Sequence, residues 1–132
     1  MDSKKILALD QKLSAQRNEW SNIIRGLAAG LKDLNGMEDV IANVLSSRQT
    51  LVDQMAYINV KVKQQKKVIA SRYRTAYIRY YNYDYKLGEK QKEKFLEDDL
   101  ADDNMILSHL ENQMDWIRDS IKTLDNMGFD GI

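Results

Sequence analysis

Residues 37–62 read M-E-D-V-I-A-N-V-L-S-S-R-Q-T-L-V-D-Q-M-A-Y-I-N-V-K-V. Met37, Ile41, Val44, Leu51, Met55, Ile58 and Val62 follow one another in alternating steps of four and three, and Arg48 fills the single gap. A 3-4 spacing puts these side chains on one stripe of a helix, the coiled-coil signature. The same register extends backwards through Leu34, Leu27, Trp20, Leu13 and Ile6. A companion seam runs through Leu9, Ile23 and Met37, with Gln16 and Gly30 as its polar or small exceptions. Asn35-Gly36 is the one strong turn signal inside the register. The region therefore divides into a helix over about residues 3–34 and a second starting near Met37. A single kinked helix is the competing arrangement, because the register survives the break.

The second helix is expected to continue to about residue 86. Lys86-Leu87-Gly88 marks its end, with Gly88 as the C-terminal cap. Further on, Leu107, Leu110, Met114, Ile117, Ile121 and Leu124 step along one face. They predict a third helix over about 89–126 that folds back antiparallel on the second, with residues from Gly128 onward in a loop. The chain has no proline to stop a helix. No stretch alternates as a strand does. The predicted fold class is all-α: an elongated helical hairpin or bundle of coiled-coil character with three main helices. Its 132 residues suit one domain. Within it, residues 1–50 form a heptad-rich part for oligomerisation or partner binding, and residues 51–132 form the hairpin.

Charge is distributed unevenly. Between Gln54 and Tyr83 there are seven basic residues, six tyrosines and no acid, although the whole chain has a formal net charge of zero. Residues 89–130 carry twelve acidic and five basic side chains. The hairpin thus pairs a basic helix with an acidic one. On a helix of about 100° per residue, Lys61, Arg72 and Arg79 line one edge of the second helix. Lys63, Lys67 and Arg74 lie beyond the other edge. Between them runs a stripe of Val62, Ile69, Tyr73, Tyr77 and Tyr80. Cations beside aromatics are what proteins use to hold single-stranded nucleic acid, one for phosphates and the other for bases. The candidate DNA-binding residues are Lys61, Lys63, Lys66, Lys67, Arg72, Arg74, Arg79 and Tyr81, with Tyr83 and Tyr85 also candidates for outward rings. The bland alternative is a solvated helix whose Tyr73, Tyr77 and Tyr80 are core.

Other chemistry finds little support. There is no cysteine, which excludes disulfides and thiolate metal sites. The acids Glu97, Asp98, Asp99, Asp102 and Asp103 suit a solvated helix face better than a cation site, so no metal is assigned. His109, the only histidine, has no nucleophile beside it in sequence, and no catalytic residue is assigned. No phosphate-cradling loop is present, so no cofactor is expected. No apolar run is long enough to span a membrane, and the first residues lack a secretory signal. Gly26-x-x-x-Gly30 is a spacing that allows one close helix approach.

From about residue 62 to residue 130 the chain resembles the UvsY-type recombination mediators of T-even-like phages. The likeness rests on Gln65-Lys66-Lys67-Val68, on Arg72-Tyr73-Arg74, on Arg79-Tyr80-Tyr81, and on the closing run Trp116 to Phe129, which ends L-x-N-x-G-F. The resemblance implies a protein without enzymatic activity, acting in the cytoplasm of an infected bacterial host. It implies a ring-like homo-oligomer that binds single-stranded DNA. It also implies that single-strand-binding protein and a RecA-like recombinase are partners, the second being loaded in place of the first. The alternative function is a non-enzymatic coiled-coil interaction module, either an adaptor or a phage inhibitor of a host protein.

Overall fold

The computed structural model describes residues 2–83 and 88–130, without the side chains of Asp2, Leu34, Asn82, Tyr83 and residues 128–130. Three helices account for almost all of it: α1 (Asp2–Gly30), α2 (Met37–Ile78) and α3 (Glu89–Asp130). There is no strand among the described residues.

The two helices of the N-terminal half are separate, and α1 ends at Gly30, four residues before the expected end near 34. Gly30 sits against α2, where an added Cβ would lie 3.0 Å from Val40 Cγ2. One partner of the Gly26-x-x-x-Gly30 pair thus makes the close approach. Gly26 has nothing within 4 Å of its would-be Cβ. A short 3-10 turn, Leu34–Gly36, leads into α2, with Asp33 Oδ1 accepting a hydrogen bond from the Asn35 N–H at 3.0 Å. Glu38 and Asp39 in the first turn of α2 complement its macrodipole.

At its far end α2 widens into a π-helical turn, Arg79–Tyr83. Residues 84–87, including Tyr85 and the expected stop at Lys86-Leu87, lie outside the described residues. Gly88 opens α3 instead of closing α2. Its carbonyl accepts from the Lys92 N–H at 3.0 Å, and its N–H donates to Gln91 Oε1 at 3.4 Å. The first is the opening bond of the helix and the second is the glutamine half of a capping box, glycine having no side chain to return the other half. No described glycine has a positive φ, so no left-handed cap exists there. At the other end α3 runs through Gly128 to Asp130, past the expected end near 126. A single glycine costs a helix only about 1 kcal/mol, too little to stop it without a proline or a competing cap.

The core is one seam of aliphatic side chains. Leu13 of α1, Val44, Leu51, Ile58 and Val62 of α2, and Leu110, Ile117, Ile121 and Leu124 of α3 are buried together. α2 and α3 are antiparallel, with Arg48 bound to Asp125 near one end and Arg72 bound to Asp103 near the other. α1 lies parallel to α3 and leans on it. Arg17 Nη1 donates to the buried Gln113 Oε1 at 2.7 Å, and His109 Nδ1 lies 3.7 Å from Asp10 Oδ1. The seam position occupied by Arg48 is thus satisfied by an acid from α3 instead of by core packing.

Unequal helix lengths shape the far end of the molecule. α1 has 29 residues and α2 has 42. With Gly30 opposite Val40 and a rise of about 1.5 Å per residue, α1 runs out near Val68. Beyond that point α2 and α3 continue as a bare pair for about 15 residues, or about 22 Å. This tip has its own small core of Ala76, Leu96 and Leu100, with Tyr80 packed on it.

Candidate nucleic-acid interface

The tyrosine-rich end of the basic segment, Tyr73 to Tyr81, lies on the tip that α1 does not cover, while Lys61, Lys63, Lys66 and Lys67 lie just before it. Tyr73 and Tyr77 are 44% and 43% exposed, which removes them from the core stripe expected of an ideal three-helix packing. The reason is angular position: α3 packs on the side of α2 that carries Ala76 and Tyr80, and α1 lies toward the Lys61 and Gln64 flank, so neither helix covers the Tyr73 and Tyr77 rings. Only Tyr80 is packed as core, 5.7 Å from the Phe95 ring. Its hydroxyl donates to Asp99 Oδ2 at 2.7 Å.

Tyr73, Tyr77 and Tyr81 stack on one another instead. Their ring centroids are 6.0 Å apart for the first pair and 4.3 Å for the second, at interplanar angles of 26° and 14°. Side chains four apart on a helix lie one above the other. The π-helical turn carries Tyr81 into the same ladder. Lys92 of α3 closes its end, with Nζ 5.0 Å from the Tyr81 centroid and 3.9 Å from Glu89 Oε1. Lys92 was not among the sequence candidates. Nothing in its own segment marks it, because its partner ring is eleven residues earlier in the chain.

The cations divide into two flanks. At about 100° per residue, Lys63, Lys66, Lys67 and Arg74 project on the ladder's side of α2. All four are exposed, and among the described residues they have no ion-pair partner. Lys61, Arg72 and Arg79 project on the opposite flank. Lys61 Nζ sits 5.3 Å above the Tyr57 ring, and the Arg79 guanidinium 6.0 Å from the Tyr80 centroid.

Arg72 is held in the fold. Its Nη1 donates to both carboxylate oxygens of Asp103 at 2.7 Å, and that carboxylate is buried. Gln65 Nε2 donates to the Asp103 carbonyl at 2.9 Å. Arg72 therefore ties α2 to α3, and the structure gives it a role other than that of a free phosphate ligand.

Of the acidic cluster, Asp99 and Asp103 are consumed by these contacts, while Glu97, Asp98 and Asp102 are exposed. Among the described residues no three acids or histidines come together as a metal site. The phenols of Tyr80 and Tyr81 are both held above their ordinary 10.0. For Tyr80 the leading cause is the hydrogen bond to Asp99, and for Tyr81 it is desolvation, followed by the charge of Glu89. Both are neutral rings at physiological pH. No helix among the described residues is long and apolar enough to cross a membrane.

No protein family, curated protein or solved structure matches this chain.

Proposed function

We propose that this chain is a recombination mediator: a non-enzymatic protein that binds single-stranded DNA and assists a RecA-like recombinase to replace single-strand-binding protein on the strand. The observation that carries the proposal is one face of α2, where stacked, exposed Tyr73 and Tyr77 on the uncovered tip are preceded by Lys63, Lys66 and Lys67 and accompanied by Arg74, four cations without carboxylate partners. Sequence-independent single-strand binders combine aromatic faces for bases with a cationic track for phosphates. The segment has no recognition helix shaped for a duplex groove, which favours a flexible strand. The resemblance of residues 62–130 to the UvsY-type mediators supports the choice of mediator among single-strand binders. A ring-like homo-oligomer fits the exposed apolar side chains along the tip, Val68, Ile78, Phe95 and Met105.

The test is binding of labelled oligo-dT across a salt series. Binding that weakens with salt, with a slope reduced by charge removal at Lys66, Lys67 and Arg74, supports the proposal. No binding at low salt rejects it and leaves the interaction module. That second function has an observation of its own in a groove on the other flank of α2.

A further inference from the structure

We infer that the groove between α1 and α2 is a docking site for an acidic amphipathic helix of a partner protein. Because α1 leans on α3, it stands away from α2 along its first half. The gap is a half-open groove of about 530 Å³. Its floor is apolar, with Leu13, Ile58, Leu110 and Ile117 at its base. Its walls are polar: Lys12 and Gln16 on α1 face Gln54, Lys61 and Gln64 on α2. No carboxylate lines it.

Two magnitudes identify the occupant. The groove extends along α2 from Gln54 to Val68, about 20 Å at 1.5 Å per residue. Spread over that length, its volume makes it a long, narrow slot. A helix is about 10 Å across, so its body lies on the groove while one row of side chains enters it. A row at i, i+3 or i+4, i+7, i+11 and i+14 covers about 20 Å in about four turns. A single alkyl chain also fits a narrow slot, but it carries one charge at one end. The lysines and amides here stand on both walls along the length. Carboxylates on both sides of an apolar helical stripe match that pattern, and α1, α2 and the new helix then close a fourth corner of the bundle.

The groove is on the flank of α2 opposite the tyrosine ladder. A protein segment and a nucleic-acid strand can therefore occupy the same helix together. This holds whether or not the ladder binds DNA.

The test uses the full chain and a fluorescein-labelled peptide of about 18 residues, with leucine at helical stripe positions and glutamate on both sides. A peptide of the same composition in scrambled order is the control. The patterned peptide is expected to give a saturable rise in anisotropy and the scrambled one none. Lys12→Glu with Lys61→Glu is expected to weaken binding at least about tenfold while circular dichroism stays unchanged. A peptide with lysine in place of glutamate regains affinity for that variant. Gln64→Glu, at an exposed rim position, is the second variant and weakens binding without touching the core.

Equal binding of both peptides, or indifference to both rim variants, overturns the inference. So does displacement of the patterned peptide by sodium palmitate, which assigns the groove to an acyl chain, or by oligo-dT, which assigns it to nucleic acid. Dissociation of an oligomer by the rim variants with no change in peptide binding assigns it to a second copy, and also overturns it. Oligo-dT binding measured on the same samples separates this result from that of the nucleic-acid proposal.

Discussion

Arg72→Ala is expected to destabilise the fold before it affects any ligand. Asp103 has a side chain only 6% exposed, and the Arg72 guanidinium reaches both of its oxygens at 2.7 Å. Removing the arginine leaves a buried carboxylate without its counter-charge. Breaking a fully buried pair costs about 3–5 kcal/mol. Here the arginine side chain is 60% exposed, so water already screens part of the attraction. The expected loss is about 1–3 kcal/mol. For a chain of this size about 4 °C of melting temperature goes with each kcal/mol, giving a fall of about 4–12 °C. The assay is thermal unfolding by circular dichroism at pH 7, run on Arg72→Ala, Asp103→Ala and the double variant. The double variant should melt higher than Arg72→Ala alone, because the stranded charge is gone. If Arg72→Ala melts within about 1 °C of wild type and weakens oligo-dT binding as much as loss of Lys66 or Lys67, then Arg72 is a phosphate ligand and the ion pair is incidental.

Replacing Lys66, Lys67 and Arg74 by alanine should lower the slope of log affinity against log salt by about 0.7 for each phosphate no longer neutralised, with melting unchanged. Tyr73→Ala and Tyr77→Ala should each weaken oligo-dT binding by about 1–3 kcal/mol per stacked base, read by titration, while stability barely moves because both rings are exposed. Gly26→Ala, in open space, should raise stability by about 0.5–1 kcal/mol, whereas Gly30→Val should lower it by about 1–3 kcal/mol through overpacking against Val40; denaturant midpoints compare the two. The Tyr80 phenol, raised by its bond to Asp99, stabilises the fold below its ordinary value of 10.0. That contribution is lost as pH rises through the folded value, and ultraviolet titration should show Asp99→Asn bringing the phenol back down.

The helix count and the antiparallel pairing of a basic with an acidic helix were legible because each depends on a local pattern. Steps of three and four fix a helical stripe whatever surrounds it. Helix ends were less legible. Asn35-Gly36 looked like the stop for α1, but the decisive contact is Gly30 on Val40, which sequence spacing does not reveal. Gly88 carried an ambiguous signal, since glycine serves either side of a turn, and its bond with Gln91 selected the start of α3. The candidate cations were legible as a group and illegible one by one. Arg72 and Arg74 look alike in sequence, yet Asp103, thirty-one residues away from Arg72, engages one and not the other. Tyr73 and Tyr77 fell on the core stripe of an ideal helix. Their exposure depends on how α3 is rotated against α2, toward Ala76 and Tyr80, a property of the assembled bundle. Gln16, the polar exception in the α1 seam, was the one sequence hint of the groove whose wall it forms.

The inequality in helix length has a consequence for the order in which the molecule comes apart. From Val44 to Val62 α2 belongs to the one buried cluster that draws on all three helices. Past Val68 only α3 supports the backbone, and the local core shrinks to Ala76, Leu96 and Leu100. Segments with few apolar contacts open at a lower free energy than the whole domain. The tip should therefore exchange its amide hydrogens as a separate cooperative unit, well ahead of the three-helix portion. A strand lying along the tyrosine ladder would slow that exchange selectively, so deuterium uptake over residues 69–80 reports occupancy without any label on the nucleic acid.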